Sequence, residues 1–170
     1  GQQVTVKAAV TITGRLIQRL GEPLENLGYD GISHLFPTPA ALAQANLDGI
    51  GMPGKRVQTL QRFAAAIASG ELSLDLADGP EALVERLCAL PGIGPWTAKV
   101  YLLTALLRPD VWPTGDLALV LAIQHKKHLK KPPLADHLQR IGQLYKPLRS
   151  VAARLYWWSY LEGKSQDEKE

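Results

Sequence analysis

Apolar residues recur at helical spacing in segment after segment of this chain. The stretch from Glu81 to Leu90, for example, places Leu83, Val84 and Leu87 on one face, the pattern of an amphipathic helix. No segment alternates convincingly between apolar and polar residues, so we predict an all-α protein. The pattern predicts helices over residues 4–20, 38–45, 55–69, 81–90, 96–107, 134–145 and 147–161, with a further helix that begins at Asp116. Thr38 is the expected N-cap of the second helix, with Pro39 at its first helical position.

A glycine-rich turn joins the helices predicted at 81–90 and 96–107. Gly92 and Gly94 permit positive φ and a close approach of a foreign backbone, and Pro95 suits the first turn of a helix. We therefore expect a helix, a tight turn and a helix N-terminus with free amides on Gly92, Ile93, Gly94 and Thr97, which would attract a phosphate. A plain link between two core helices is the alternative.

Asp116 follows the turn Pro113-Thr114-Gly115 and precedes seven apolar residues. Aspartate is common as a helix N-cap, and this role alone would explain the residue. A carboxylate beside a cleft could instead stabilise a cationic sugar or activate water. The sequence leaves both interpretations open.

The charge balance permits a nucleic-acid partner without requiring one. Lys and Arg total 19 against 16 acidic residues, a net charge of +3. Lys55 and Arg56 begin a predicted helix with charges that oppose its dipole, so they are either solvated cations or contacts to a DNA phosphate. The basic stretch 125–131 is open to the same two interpretations. No apolar run approaches the length of a membrane span.

Cys88 is the only cysteine of the 170 residues. A disulfide within the chain and a four-cysteine iron–sulfur cluster are therefore excluded. With no signal peptide visible, we expect the cytoplasm. The chain begins at Gly1 rather than Met, and we expect it to be a fragment.

The motifs together resemble the helix-hairpin-helix DNA glycosylase superfamily, and most closely its bacterial alkylpurine branch. The hairpin Leu90–Lys99 is followed by a Pro/Gly loop and an Asp that opens a helix, and further similar segments are 2–6, 36–39, 51–56 and 146–150. The resemblance implies an all-α, bilobal fold with a cleft between two helical lobes. We place one lobe at 1–107, a second at 108–163 that lacks the family's N-terminal helices, and a disordered tail at 164–170.

The resemblance also implies roles for individual residues. Asp116 matches the essential aspartate of the family. The amides of Gly92 and Gly94 and the hydroxyl of Thr97 would grip the DNA backbone, and Gln3 would fill the gap that a flipped nucleotide leaves. In relatives, hairpin carbonyls hold a monovalent cation; a Na⁺ or K⁺ ion here would bind the carbonyls of Cys88, Leu90 and Ile93.

Trp96 stands where bifunctional relatives carry a lysine nucleophile. Without an amine no Schiff base to the sugar can form, so we expect an enzyme that leaves the strand uncut. Trp96 and Trp157 match aromatic positions of the family's base pocket, where a positively charged methylated purine would be held by cation–π attraction. For Trp157 and its neighbour Trp158, a core aromatic is the alternative.

The expected function is a monofunctional, monomeric DNA N-glycosylase that removes 3-methyladenine or 7-methylguanine type bases from double-stranded DNA. Two alternatives remain: a non-catalytic helix-hairpin-helix DNA-binding module, and a glycosylase for a neutral base such as hypoxanthine or uracil. Binding without base release would indicate the first, and the identity of the released base would indicate the second.

Overall fold

The computed structural model describes residues 4–25 and 31–167. Within these ranges the regular structure is helical, apart from an isolated antiparallel β-bridge between Pro23 and His34. The all-α prediction is thus confirmed for the described residues, and none of their helices is both long and apolar enough to cross a membrane. The helices are α1 (Val6–Leu20), α2 (Pro39–Gln44), α3 (Gly54–Ala68), α4 (Pro80–Cys88), α5 (Pro95–Thr104), α6 (Leu117–Lys126), α7 (Ala135–Gln143) and α8 (Arg149–Asp167).

Side-chain caps fix several helix starts. Thr38 caps α2 by accepting the amide of Ala41 at 3.2 Å, with Pro39 at the first helical position, as the sequence predicts. Thr5 caps α1 in the same way, through the amide of Ala8. The apolar pattern predicts a start at Val4, because apolar spacing alone does not distinguish a capping residue from the first turn.

The chain forms two compact units, one up to Ile93 and one from Gly94. This division lies earlier than the boundary predicted after Leu107. The reason is that α5 is bound into the second unit: Arg154 of α8 donates to the carbonyl of Leu103 at 2.8 Å, and Trp96 donates to Asp116.

The C-terminal helix is longer than predicted. Its backbone is helical to Asp167, past the predicted end at Leu161 and into the segment expected to be disordered. The residues beyond Gly163 are polar but include good helix formers, and no proline interrupts them. Polarity was therefore a poor guide to where this helix ends.

The first unit has a core under α1, α2 and α3. Buried side chains from the three helices and the loop before α3 form one apolar cluster: Leu16, Leu42, Leu47, Ile50 and Ala64. Arg15 and Arg19 on α1 donate to the carbonyls of Ile50 and Asp48, at 3.1 and 2.8 Å. These bonds hold the loop before α3 against α1.

The second unit is built on α6 packed against α8. Leu119 and Ile123 of α6 are fully buried. The loop before α6 is tied to the start of α8, because Arg149 binds the Asp110 carboxylate through two nitrogens, at 2.7 and 3.0 Å. The hydrogen bond from Arg149 holds the pKa of Asp110 below its usual value.

Trp112 is the largest buried side chain of that loop, with 3% of its surface exposed. Its indole N–H donates to the carbonyl of Leu138 at 3.1 Å. Its ring lies so close to Gly142 of α7 that a Cβ at that position would be 2.8 Å from ring atoms. Gly142 is therefore required by packing.

Replacing Gly142 by alanine tests this contact. Alanine normally favours a helix over glycine by up to about 1 kcal/mol, but overpacking against the Trp112 ring costs about 1–3 kcal/mol. We expect Gly142→Ala to lower the free energy of unfolding measured in urea. Gly14→Ala in α1 is the matched control, since a Cβ there meets nothing within 4 Å, and it should be neutral or stabilising. A stabilising Gly142→Ala would contradict the packing.

Replacing Asp110 by asparagine tests the link to α8. Since the folded pKa of Asp110 is lowered, its contribution is present at neutral pH and is lost as the pH falls below the ordinary aspartate value of about 4. Asp110→Asn should lower the free energy of unfolding by about 1–2 kcal/mol at pH 7, and the difference from wild type should shrink towards pH 3. Asp78→Asn is the control, because the Asp78 side chain is 72% exposed in its pair with Arg86; it should change stability by less than about 0.5 kcal/mol.

Candidate functional site

Asp116 is the residue around which the candidate site forms. It is the N-cap of α6: its Oδ1 accepts the backbone amide of Leu119 at 2.7 Å. Only 8% of the residue is exposed. The N-cap role, which the sequence allowed as a full explanation, is thus real. It engages one oxygen of the carboxylate and leaves the other for a second partner.

Two tryptophans supply further donors to the same carboxylate. The indole N–H of Trp96 donates to Oδ2 at 2.7 Å, and that of Trp157 donates to Oδ1 at 2.8 Å. Trp96 lies in the first turn of α5 and Trp157 lies on α8. The site therefore joins the starts of α5 and α6 with the middle of α8, all within the second unit.

The three bonds orient the carboxylate without using all its capacity. A carboxylate has about four lone-pair positions, and two indoles and one amide occupy three of them. The acid can therefore still face a positive charge or one further donor. None of the three bonded groups is an amine.

The structure separates the two neighbouring tryptophans of α8. Trp157 is half-buried and bonded to Asp116, whereas Trp158 is 60% exposed. The structure brings Trp96 and Trp157 together at Asp116, and their assignment to a base pocket stays a prediction. What the sequence analysis did not foresee is that both indoles meet the acid through their N–H groups.

The two glycines of the hairpin differ in conformation. Gly92 has φ +93°, in the region that favours glycine. Gly94 has φ −101° and ψ 172°, an extended backbone that any residue adopts, so Gly94 does not use the positive φ that its residue type permits. A Cβ at Gly94 would still meet nothing within 4 Å, so the space beside it is open to a ligand.

The amides of the turn are also not all available. The amide of Ile93 donates to the carbonyl of Leu90 at 3.1 Å, which corrects the expectation that it is free. Gly94 caps α5 without any side-chain hydrogen bond to the helix. Thr97 lies half-buried in the first turn of α5 and has a partner within the chain.

The remaining predicted residues lie apart along the chain. Lys55 is exposed in the first turn of α3, while Arg56 is half-buried and already has a partner. Gln3 lies outside the described residues.

The residues predicted to hold a cation follow the end of α4. Cys88 is the last residue of that helix, and Leu90 and Ile93 come after it. The last carbonyls of a helix carry a partial negative charge that suits a cation. The carbonyl of Leu90 accepts one hydrogen bond and retains a second lone pair.

Thr59 is a residue that the sequence analysis missed. It lies on α3, and its hydroxyl reaches the carbonyl of Pro91 in the hairpin turn at 3.3 Å. No local signal marks it, because a threonine on a helix is ordinary and the contact spans 32 positions of the chain.

Comparison with known proteins agrees with this geometry. No family model matches the chain. It is 35% identical over 156 residues to the probable bifunctional transcriptional activator/DNA repair enzyme AlkA of Mycobacterium tuberculosis, covering 92% of this chain and 31% of that protein. It is 33% identical over 171 residues to DNA-3-methyladenine glycosylase 2 of Escherichia coli, covering 99% of this chain and 56% of that protein. The chain thus spans between about a third and somewhat over half the length of these relatives.

Solved structures show the same likeness. The Schizosaccharomyces pombe 3-methyladenine DNA glycosylase Mag1, in complex with abasic DNA, matches with a TM-score of 0.72 and 27% identity, covering 92% of this chain and 73% of that one. MBOgg1 in complex with a low-affinity DNA ligand matches with a TM-score of 0.80 at 23% identity, covering 96% and 57%, a likeness of fold. The hairpin, the capped Asp116 and these matches together establish that the chain belongs to the helix-hairpin-helix DNA glycosylase superfamily, in the region that it shares with the 3-methyladenine glycosylases.

Proposed function

We propose that this protein is a monofunctional DNA N-glycosylase that flips alkylated purines out of duplex DNA and excises them. The observation that carries the proposal is the Asp116 carboxylate held by Trp96 and Trp157. The relatives named as 3-methyladenine glycosylases support the lesion class. We further propose that it acts as a monomer in the cytoplasm.

The proposed reaction needs little more than a fixed negative charge. A 3-methyladenine or 7-methylguanine base is already cationic and leaves as a neutral molecule when the bond from the base nitrogen to C1′ breaks. The sugar then carries the positive charge, as in other glycosyl transfers with an oxocarbenium-like transition state. Asp116 would stabilise that charge, and water would then add at C1′ and lose a proton, leaving an abasic site.

The two indoles serve this step in different ways. Their N–H groups hold the carboxylate, while their ring faces are suited to attract a cationic base by about 0.5–2 kcal/mol. An amine nucleophile is what strand cleavage through a Schiff base requires. Since the groups bonded to Asp116 are indoles and an amide, we infer that the enzyme leaves the strand intact.

We assign binding of the DNA backbone to the hairpin and to the positive charge of Lys55. The amides of Gly92 and Gly94, with Thr97, would bind phosphates at and beside the start of α5, and the exposed Lys55 would add a cation. We propose that the carbonyls of Cys88, Leu90 and Ile93 bind a Na⁺ or K⁺ ion, which would supply positive charge next to the DNA backbone.

Asp116→Asn tests the enzymatic proposal. Asparagine is as good an N-cap as aspartate, so α6 should still be capped, but the charge and the acceptor for one indole N–H are lost. We expect release of 3-methyladenine and 7-methylguanine from methylated duplex DNA, measured by chromatography, to fall by at least about 100-fold. Affinity for a duplex with an abasic-site analogue should stay within a few-fold of wild type.

The same assay distinguishes the alternatives. Wild type should convert the DNA to alkali-labile sites with no breaks before alkali is added; breaks without alkali would overturn the monofunctional assignment. Equal base release by Asp116→Asn would overturn the role of the acid. Binding without any release would indicate a non-catalytic DNA-binding module, and release of hypoxanthine or uracil alone would indicate a neutral-base enzyme.

Trp157→Phe separates the indole N–H from the aromatic ring. Phenylalanine keeps a ring face but cannot donate to Asp116. A hydrogen bond to a charged group contributes about 1.5–3 kcal/mol, so we expect kcat to fall about tenfold or more while KM for methylated DNA changes little. The matched control is Trp158→Phe, which replaces an exposed neighbour and should behave as wild type. A rise in KM with unchanged kcat would assign Trp157 to base stacking alone.

A further inference from the structure

Thr59 joins α3 to the hairpin turn within the first unit. Its hydroxyl oxygen lies 3.1 Å from the carbonyl oxygen of Lys55, one turn back on its own helix, and 3.3 Å from that of Pro91. The single hydroxyl proton is shared between these two carbonyls, and the contact with Lys55 is the ordinary back-bond of a helical threonine. The hydroxyl is thereby held towards the hairpin rather than free to rotate into solvent.

The same side chain fills the space next to Gly92. A Cβ built on Gly92 would be 2.9 Å from the Thr59 Cγ2 atom and closer still to its hydroxyl oxygen. Real side chains do not tolerate such distances. Gly92 is thus required twice, by its φ of +93° and by direct contact with α3.

The contact also shows which face of α3 carries the charge of Lys55. Lys55 and Thr59 are four residues apart on α3, and residues with this spacing lie on the same helical face. Lys55 is exposed and begins the helix face that touches the turn. An exposed cation therefore lies on the face of α3 that carries the contact with the turn.

We propose that Thr59 is a positioning residue for DNA-backbone binding. It holds the hairpin turn in a fixed position against α3, so that the turn and Lys55 bind the DNA backbone together. Thr59 itself does not touch the DNA. Its effect passes through the Pro91 carbonyl and the packing on Gly92, which set the orientation of the turn's amides. This inference rests on the proposed DNA-binding function and adds a residue to it that no motif indicates.

A set of three substitutions tests this positioning role of Thr59. Thr59→Val keeps the shape but removes the hydroxyl donor, and Thr59→Ser keeps the hydroxyl. Thr11→Val is the matched control, since the Thr11 hydroxyl makes the same back-bond to Lys7 at 2.9 Å on an exposed part of α1. Affinity is measured by fluorescence anisotropy with a duplex that carries an abasic-site analogue, over a range of salt concentrations, together with the thermal midpoint of each variant.

We expect Thr59→Val to weaken DNA binding by roughly fivefold, the equivalent of one ordinary hydrogen bond, while Thr59→Ser and Thr11→Val remain within about twofold of wild type. The base-release rate at saturating DNA should be unchanged in Thr59→Val, because the site at Asp116 is untouched. The slope of log affinity against log salt should also be unchanged, whereas Lys55→Ala should reduce it by about one unit if Lys55 meets a phosphate.

Three outcomes would contradict the positioning role of Thr59. They are equal DNA affinity of Thr59→Val and wild type, an equal loss of affinity in Thr11→Val, or a loss of affinity in Thr59→Val with an equally reduced base-release rate at saturating DNA. The first of these leaves base release by wild type intact and so does not affect the proposed function. Binding by wild type without base release would refute the enzyme, while the affinities of the variants would still decide the role of Thr59. A wild-type chain that binds no duplex would refute both.

Discussion

The candidate site depends on one carboxylate that is shared by three helices. Asp116 caps α6 through the amide of Leu119 and accepts the indole N–H groups of Trp96 and Trp157. Each hydrogen bond both links elements of the fold and orients the carboxylate of the site. A side chain that caps the start of one helix and accepts hydrogen bonds from two others has little freedom to change its orientation. A fixed orientation is the condition for acting on charge at a fixed point.

The surrounding packing keeps that carboxylate in place. Leu119 and Ile123 anchor α6 in the buried core, and α6 packs on α8, which brings Trp157 to the acid. The loop that leads into Asp116 is fixed at its far end by Asp110 and Arg149, and in its middle by Trp112. A loop held at both ends and in its centre places its last residue reproducibly, even though it contains no regular structure.

The features that the sequence predicted correctly are mostly those with a local cause. The cap of α2 at Thr38, the left-handed Gly92 and the capping role of Asp116 follow from residue chemistry within a few positions. The helical pattern likewise indicated the all-α class. Trp96 and Trp157 were grouped with Asp116 through the family resemblance rather than through any periodicity.

The features that the sequence did not predict have causes distant along the chain. Periodicity alone does not tell whether Trp157 or Trp158 faces inwards, because that depends on the rotation of α8 against α6. The contact of Thr59 with Gly92 depends on where α3 lies. At Gly94 the residue type permits positive φ, but the backbone is extended and the space beside it is open.

The identity of residue 96 has a physical consequence for the proposed reaction. A cationic alkylated base enters with its charge already present, so bond cleavage moves that charge from the base to the sugar and creates no new charge. What favours this movement is an anion fixed near the sugar. A lysine ammonium about 4 Å from the Asp116 carboxylate would attract it by about 4 kcal/mol at an effective dielectric constant of 20, and would cancel most of its field. The indole of Trp96 orients the Oδ2 atom of Asp116 while carrying no net charge. A neutral donor therefore leaves the full charge of Asp116 to act on the sugar, and a site built this way suits a leaving group that needs no nucleophile to expel it.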